Sequence, residues 1–307
     1  MIPPKLKHAL RNFYFYSRYL HFSCKTDYSG VIFIFDKKIN HPGLVDRFKA
    51  IVGAYYLAKE QGKDFRISFN DDFNIPHYLG SNTHHWSIDY HQIDKSIFHV
   101  QLIDYKGGSK GWNLKEGISQ YHIYNYLGYN LWNHDCWDEW ADKWTELYQE
   151  LFVPKGELKK YLAETTYEEN TYIAVHIRFL NSLGITEQRH GQKPLAEEEQ
   201  IRLKKQCFQE IDKLQNESGM RAIVFSDNND FNREAGSRGF ITLKGDVRHI
   251  SYNHSDETLL KTLSDLYMIS RSKRAYSIRG KDLYTSNYPL YGALIGGKPC
   301  EKIQIEY

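Results

Sequence analysis

The 307-residue chain carries only four cysteines, Cys24, Cys136, Cys207 and Cys300, which are far apart and form no C-x-x-C pair. That spacing excludes the dense disulfide framework of small secreted domains, and it predicts reduced thiols in a cytoplasmic protein. No run of about 18 apolar residues occurs, so no membrane-spanning helix is expected. The uninterrupted apolar stretch of a signal peptide is missing from the N-terminus as well. Charge of one sign is also lacking: 40 basic and 38 acidic residues leave a formal net charge of +2. Such a balance gives no electrostatic footprint for nucleic acid. The clusters His84-His85 and His134-Asp135-Cys136 do not have metal-ligand spacing, so no metal site is expected. Internal repeats and low-complexity tracts are absent.

What is present is a chain long enough for two domains of roughly 150 residues, with a hydrophobic fraction of 41% to fill their cores. Aromatic residues make up 15%, including 24 tyrosines. Such side chains join an apolar face to a hydrogen-bonding tip, which suits both core edges and sugar faces. Residues 1–26 hold Lys5, Lys7, Arg11, Arg18 and Lys25 with no acid, and Leu6, Leu10, Phe13, Tyr14, Ser17 and Leu20 recur at near-helical spacing. The segment fits either a helix packed on its own domain or peripheral contact with an anionic membrane surface at its cytoplasmic face.

Apolar periodicity gives a strand at Val31–Phe35, a helical stripe at Leu44, Phe48, Ile51, Val52 and Tyr55, and a strand at Phe65–Phe69. Residues 70–135 predict loops and short strands, with an apolar alternation at Ile97–Ile103. An amphipathic helix is expected at Trp137–Phe152, and Pro154 marks a hinge. Beyond it strands and helices alternate: strands at Tyr172–Ile177, Ala222–Phe225, Phe240–Leu243, Arg274–Ile278 and Lys302–Ile305, with helices between them at about 196–216, 230–238, 257–270 and 286–295. The pattern predicts an α/β protein of two Rossmann-like domains facing across a cleft, at residues 1–155 and 156–307.

Three stretches carry candidate chemistry. The strand Tyr172–Ile177 ends in His176 and Arg178, two residues apart and so on one side of the strand. An arginine there suits a phosphate, because its planar fork donates two parallel hydrogen bonds and stays charged. Pairing with a neighbouring carboxylate is the competing role for Arg178, and a satisfied core position that for His176. The next strand ends in Ser226-Asp227-Asn228, groups that suit ribose hydroxyls and a helix N-cap equally. Asp265 lies on an amphipathic helix with Leu263, Leu266 and Ile269, where it is either a ligand or a surface residue. Ser286 and Pro289 then mark a helix start that points N–H groups and a hydroxyl at a diphosphate, with Tyr288 either packed on a base or part of the core.

This order of a strand-end H-x-R, a strand-end Ser-Asp pair and an Asp-Leu-Tyr helix followed by a Ser-x-aromatic helix start resembles the superfamily of α1,2-, α1,6- and protein O-fucosyltransferases. The segment Asn40-His-Pro-Gly-Leu-Val-Asp46-Arg47 also looks like that superfamily's G-x-G-[DN]-[RQ] loop. The likeness covers Val31–Phe69 and Tyr172–Pro299. Phe179, Leu180 and Asn181 stand where a fuller H-x-R-R-x-D motif has its second arginine and aspartate, and the first glycine of the loop motif is absent, with Pro42 preceding Gly43.

The resemblance implies a GT-B enzyme that needs no cofactor or metal and takes its sugar from GDP-fucose with inversion. In that reading Arg178 neutralises the β-phosphate, His176 touches the guanosine end and Asp265 accepts from the guanine edge. Ser226 and Asp227 belong to the donor site, and Ser286, Asn287 and Tyr288 bind the diphosphate and flank the base. His41 and Asp46 line the sugar end. Glu187, a short loop beyond Arg178, is the expected base for the acceptor hydroxyl of a glycan, with His41 or Asp46 as replacements. Another GDP-deoxyhexose or nucleotide sugar as donor, and a non-catalytic sugar-nucleotide or glycan-binding protein, remain the alternatives.

Overall fold

The computed structural model describes residues 13, 17–20, 26–37, 41–71, 74–103, 113–124, 137–184, 193–247 and 255–306. Most of the 1–26 segment, Asn40, Cys24, His134-Asp135-Cys136 and Glu187 lie outside the described residues. The chain divides into two compact units. Unit 1 comprises Met1–Phe73, Ser81–Trp140 and Glu146–Val153; unit 2 comprises Asn74–Gly80, Ala141–Thr145 and Pro154–Tyr307.

In unit 1, strand β1 (Gly30–Asp36) is buried at every position, as its continuous run of β-branched and aromatic residues requires of a central strand. Helix α1 (Leu44–Glu60) follows, burying Leu44, Phe48, Ile51, Val52 and Tyr55, and Gly62 at φ +60 turns the chain into β2 (Phe65–Asn70). Two short strands complete the sheet, β3 (Val100–Ile103) and β4 (Gln120–Ile123). The order is β2-β1-β4-β3 and every pair is parallel. In β4, Gln120 and His122 interrupt the apolar pattern yet are fully buried. Their polar atoms are met: Gln120 Nε2 donates to Thr26, to the Tyr28 carbonyl and to the Gln92 carbonyl, while His122 bonds Tyr19 at 2.7 Å and Gln120 at 2.9 Å.

From Pro154 onward unit 2 contains α2 (Gly156–Glu164) and then alternates β5 (Tyr172–Ile177), α3 (Glu197–Ser218), β6 (Arg221–Ser226), α4 (Asn229–Ser237), β7 (Ile241–Thr242), α5 (Asp256–Arg271), β8 (Arg274–Arg279), α6 (Tyr288–Ile295) and β9 (Cys300–Gln304). The five strands are parallel in the order β9-β8-β5-β6-β7. The chain therefore starts at the central strand β5, winds outward through β6 and β7, and returns to the other side for β8 and β9. Each sheet face is covered by helices. Ile173, Val175 and Ile177 pack with Leu203, Cys207 and Ile211 of α3 and Phe231 of α4. Tyr172 and Ala174 pack on the opposite face with Met268 and Ile269 of α5 and Ala293 of α6. A methyl group added at Gly292 of α6 would come within 2.8 Å of Ile269, so glycine allows the two helices their close approach. The last strand starts at Cys300 and the last helix at Tyr288, each two residues from its expected start. No described helix is long and apolar enough to cross a membrane.

Candidate functional site

The strand order of unit 2 reverses between β5 and β8, and in such sheets ligands bind at the carboxyl ends of the strands that flank the reversal. The groups at that edge come from β5, from the ends of β6 and β8, and from residues 284–288. His176 is buried, with its ring 5.6 Å from that of Tyr288. Burial first, and Arg178 second, lower its pKa to about 3, so the imidazole is neutral at ordinary pH. Arg178 follows at the mouth of the sheet with its guanidinium 4.6 Å from the Tyr284 ring centroid. Its Nε lies 3.7 Å from Asp227 Oδ2.

The Ser226-Asp227-Asn228 run holds its own backbone together. Asn228 Oδ1 caps α4 by accepting from the Phe231 N–H at 2.8 Å, and Ser226 Oγ accepts from the Asn228 N–H at 3.2 Å. Asp227 accepts at 2.8 Å from the N–H groups of both Phe179 and Leu180. Leu180 has φ +54, a left-handed conformation that costs a non-glycine residue about 1 kcal/mol or more, and the carboxylate fixes it there. Asn228 thus takes the helix-cap role that the run equally suits, and the oxygens of Ser226 and Asp227 accept backbone protons.

Ser286 makes a similar turn. The residue is buried and its hydroxyl accepts from the Tyr288 N–H at 3.1 Å. Asn287 precedes α6 and is exposed. Tyr288 donates its phenol proton to the Thr262 carbonyl of α5 at 2.6 Å. Burial, and then Asp265, push that phenol well above its ordinary pKa. Asp265 itself is buried rather than on the helix surface, and both of its oxygens lie 2.6 Å from Lys261 Nζ. Burial raises its pKa and Lys261 opposes the rise. The unit 2 edge thus gathers His176, Arg178, Asp227, Ser286 and Tyr288, with Asp265 next to Tyr288.

His41 and Asp46 belong to unit 1. His41 is buried, its ring lies tilted at 5.3 Å from that of Phe35, and its Nε2 sits 3.0 Å from the Asp36 nitrogen and 2.9 Å from the Asp36 carbonyl oxygen. Burial and then Arg47 lower its pKa, which keeps it neutral. Asp46 is half-exposed and pairs with Lys49 at 2.9 Å, one turn along α1. Asp36 at the end of β1 pairs with Arg18, and Arg47 is buried against Asp71 while its Nε donates to the Pro42 carbonyl at 3.0 Å. Among the described residues no group of three or more His, Cys, Asp or Glu is arranged to hold a metal.

Two participants left no clear signal in the sequence. Tyr284 underlies Arg178, and nothing in its neighbourhood of polar residues distinguishes it from a loop tyrosine. Lys261 sits four residues before Asp265, a spacing that reads as an ordinary surface pair until its burial is known.

No protein-family model matches the sequence, and no curated protein matches it either. Solved structures do match in shape. A mutant of Arabidopsis thaliana FUT1 in complex with GDP superposes over 99% of this chain and 80% of its own, with a TM-score of 0.53 at 13% identity. NodZ α-1,6-fucosyltransferase soaked with GDP-fucose covers 87% of this chain and 92% of its own, with a TM-score of 0.52 at 10% identity. NodZ from Bradyrhizobium covers 88% and 94%, with a TM-score of 0.51 at 11% identity. The fold is that of the fucosyltransferases. Its α/β units with parallel sheets are those of the GT-B fold that the resemblance implied. Within this GT-B chain the H-x-R pair of β5 occupies the switch-point edge of the second sheet.

Proposed function

We propose that the protein is a glycosyltransferase that moves fucose from GDP-fucose to a glycan hydroxyl, with inversion and without a metal ion. The observation that carries this reading is the placement of Arg178 at the carboxyl edge of β5, beside the reversal of strand order, in a fold whose solved members were captured with GDP and GDP-fucose. In this reading Arg178 faces the diphosphate, where charge grows as the sugar–phosphate bond breaks. Its guanidinium rests on the Tyr284 ring, which restricts its direction, and a planar N–H fork is the donor geometry that matches a phosphate. His176, neutral and packed against Tyr288, contacts the guanosine end; Asp265 accepts from guanine; Ser286, Asn287 and Tyr288 shape the turn under the diphosphate.

The acceptor oxygen forms a bond to the anomeric carbon on the face opposite the leaving group, and the bond to the β-phosphate oxygen breaks with its electron pair going to GDP. The hydroxyl proton goes to a base, which we assign to Glu187, with His41 and Asp46 on the acceptor side. Asp227 acts as a brace for the Phe179-Leu180 turn that follows Arg178. The reading places the enzyme in the cytoplasm, with residues 1–26 as its contact to a membrane surface. Incubation with GDP-fucose, GDP-mannose, UDP-galactose and a panel of oligosaccharides tests it by product analysis. Fucosylated product that forms equally well with and without EDTA is expected. Transfer from a UDP-sugar, or activity restored only by manganese, contradicts it.

A further inference from the structure

Lys261 and Asp265 are held together in α5 with side chains only 11% and 9% exposed. The lysine precedes the aspartate by one turn, the less favourable order for an i,i+4 pair in a helix, so helix propensity does not explain it. Removing two charges from water costs several kcal/mol per ion, and a buried pair often does no better than two apolar side chains in its place. Packing alone does not account for the pair either. The lysine stem also has a built seat. A Cβ on Gly245, which lies after β7 with φ +98, would meet Lys261 Cδ at 3.2 Å, so the bare backbone there lets the stem lie flat.

We propose that Lys261 is a positioning residue that keeps the Asp265 carboxylate ionised and fixed in direction, so that it reads the paired N–H groups of guanine. This rests on the assignment of Asp265 to the base in the function proposed above. A carboxylate has about four acceptor positions. The ammonium group, 2.6 Å from each oxygen, takes one on each, and leaves one on each for the two parallel donors of a guanine edge. The other titratable groups that act on Asp265 are the phenols of Tyr288, from the start of α6, and Tyr161, from α2. Both are held well above their ordinary pKa by burial and stay neutral, so Lys261 is the described cation facing this carboxylate. Without it, burial protonates the carboxyl, and a protonated carboxyl offers a donor where guanine also offers one.

The test is calorimetric titration of the full chain with GDP between about pH 6 and pH 8.5, a window that a buried carboxyl without its cation reaches. Wild type, Lys261→Met, Lys261→Arg and Asp265→Asn are compared, each affinity taken as a ratio to wild type at the same pH. Lys261→Met is expected to lose at least tenfold in affinity at the acid end and to recover toward wild type at the alkaline end, because binding needs the ionised form. Lys261→Arg is expected to restore a flat ratio, and Asp265→Asn to be weak throughout. A Lys261→Met protein that binds GDP as wild type does at every pH, or that is equally weak at every pH, overturns the proposal while leaving the GDP reading intact. Wild type that does not bind GDP overturns the functional reading itself.

Discussion

At the carboxyl edge of the unit 1 sheet, Arg47 and Arg18 each lie against a buried carboxylate, Asp71 and Asp36. At the same edge of the unit 2 sheet Arg178 Nε lies 3.7 Å from Asp227 Oδ2, and the oxygens of Asp227 accept two backbone N–H groups. The two arginines of the first edge make close ion pairs with nearly buried carboxylates, whereas Arg178 lies over an aromatic ring with the Asp227 carboxylate at a longer distance.

This contrast yields graded tests. Arg47→Ala should have the largest effect on stability, about 3–5 kcal/mol in a urea melt, because it leaves Asp71 buried and uncompensated. Replacing both partners by apolar residues of similar volume should recover most of that loss. Arg178→Ala should instead leave the melt unchanged and remove about 2.7–4 kcal/mol of transition-state stabilisation, a 100- to 1000-fold fall in kcat. Retention of more than a tenth of the activity would show that Arg178 has no phosphate role.

The two units share an acid weakness. His122 in unit 1 and His176 in unit 2 are both lowered to about 3 by burial. Below about pH 6.5 the unfolded chain binds a proton at each that the folded chain does not, so stability present above that pH is lost as the pH falls. The expected slope is about 1.4 kcal/mol per pH unit for each histidine. Urea melts at about pH 7 and pH 5 check it, and His176→Gln should reduce the slope by one histidine's share. A smaller effect belongs to Asn228→Ala, which removes the cap of α4 and should cost about 0.5–2 kcal/mol with little change in GDP binding.

The sequence made the alternation of unit 2 legible because each buried strand is a short apolar run followed by a helical stripe, as in Tyr172–Ile177 and then Leu203, Cys207 and Ile211. The H-x-R pair was legible for the same reason, since a strand's two-residue period fixes which residues share a side. Strand β4 was not, because Gln120 and His122 break the pattern, and their burial depends on partners at Tyr19, Thr26, Tyr28 and Gln92 that only the fold supplies. Asp227 shows the limit most clearly. A carboxylate before a helix reads as a cap or a ligand, whereas its observed partners are backbone N–H groups more than 40 residues earlier in the chain. The depth of Lys261 and Asp265 was hidden likewise, because a lysine and an aspartate one turn apart look the same in sequence whether solvated or buried.

The most direct test of the central claim, that the carboxyl edge of the second sheet binds GDP through Arg178, is titration calorimetry of wild type and Arg178→Ala with GDP, UDP and ADP. Wild type should bind GDP in preference to the other two, and Arg178→Ala should lose at least tenfold in affinity for GDP with its melting temperature unchanged. Equal affinity of the two proteins for GDP, or binding of UDP as tight as that of GDP, would contradict the account.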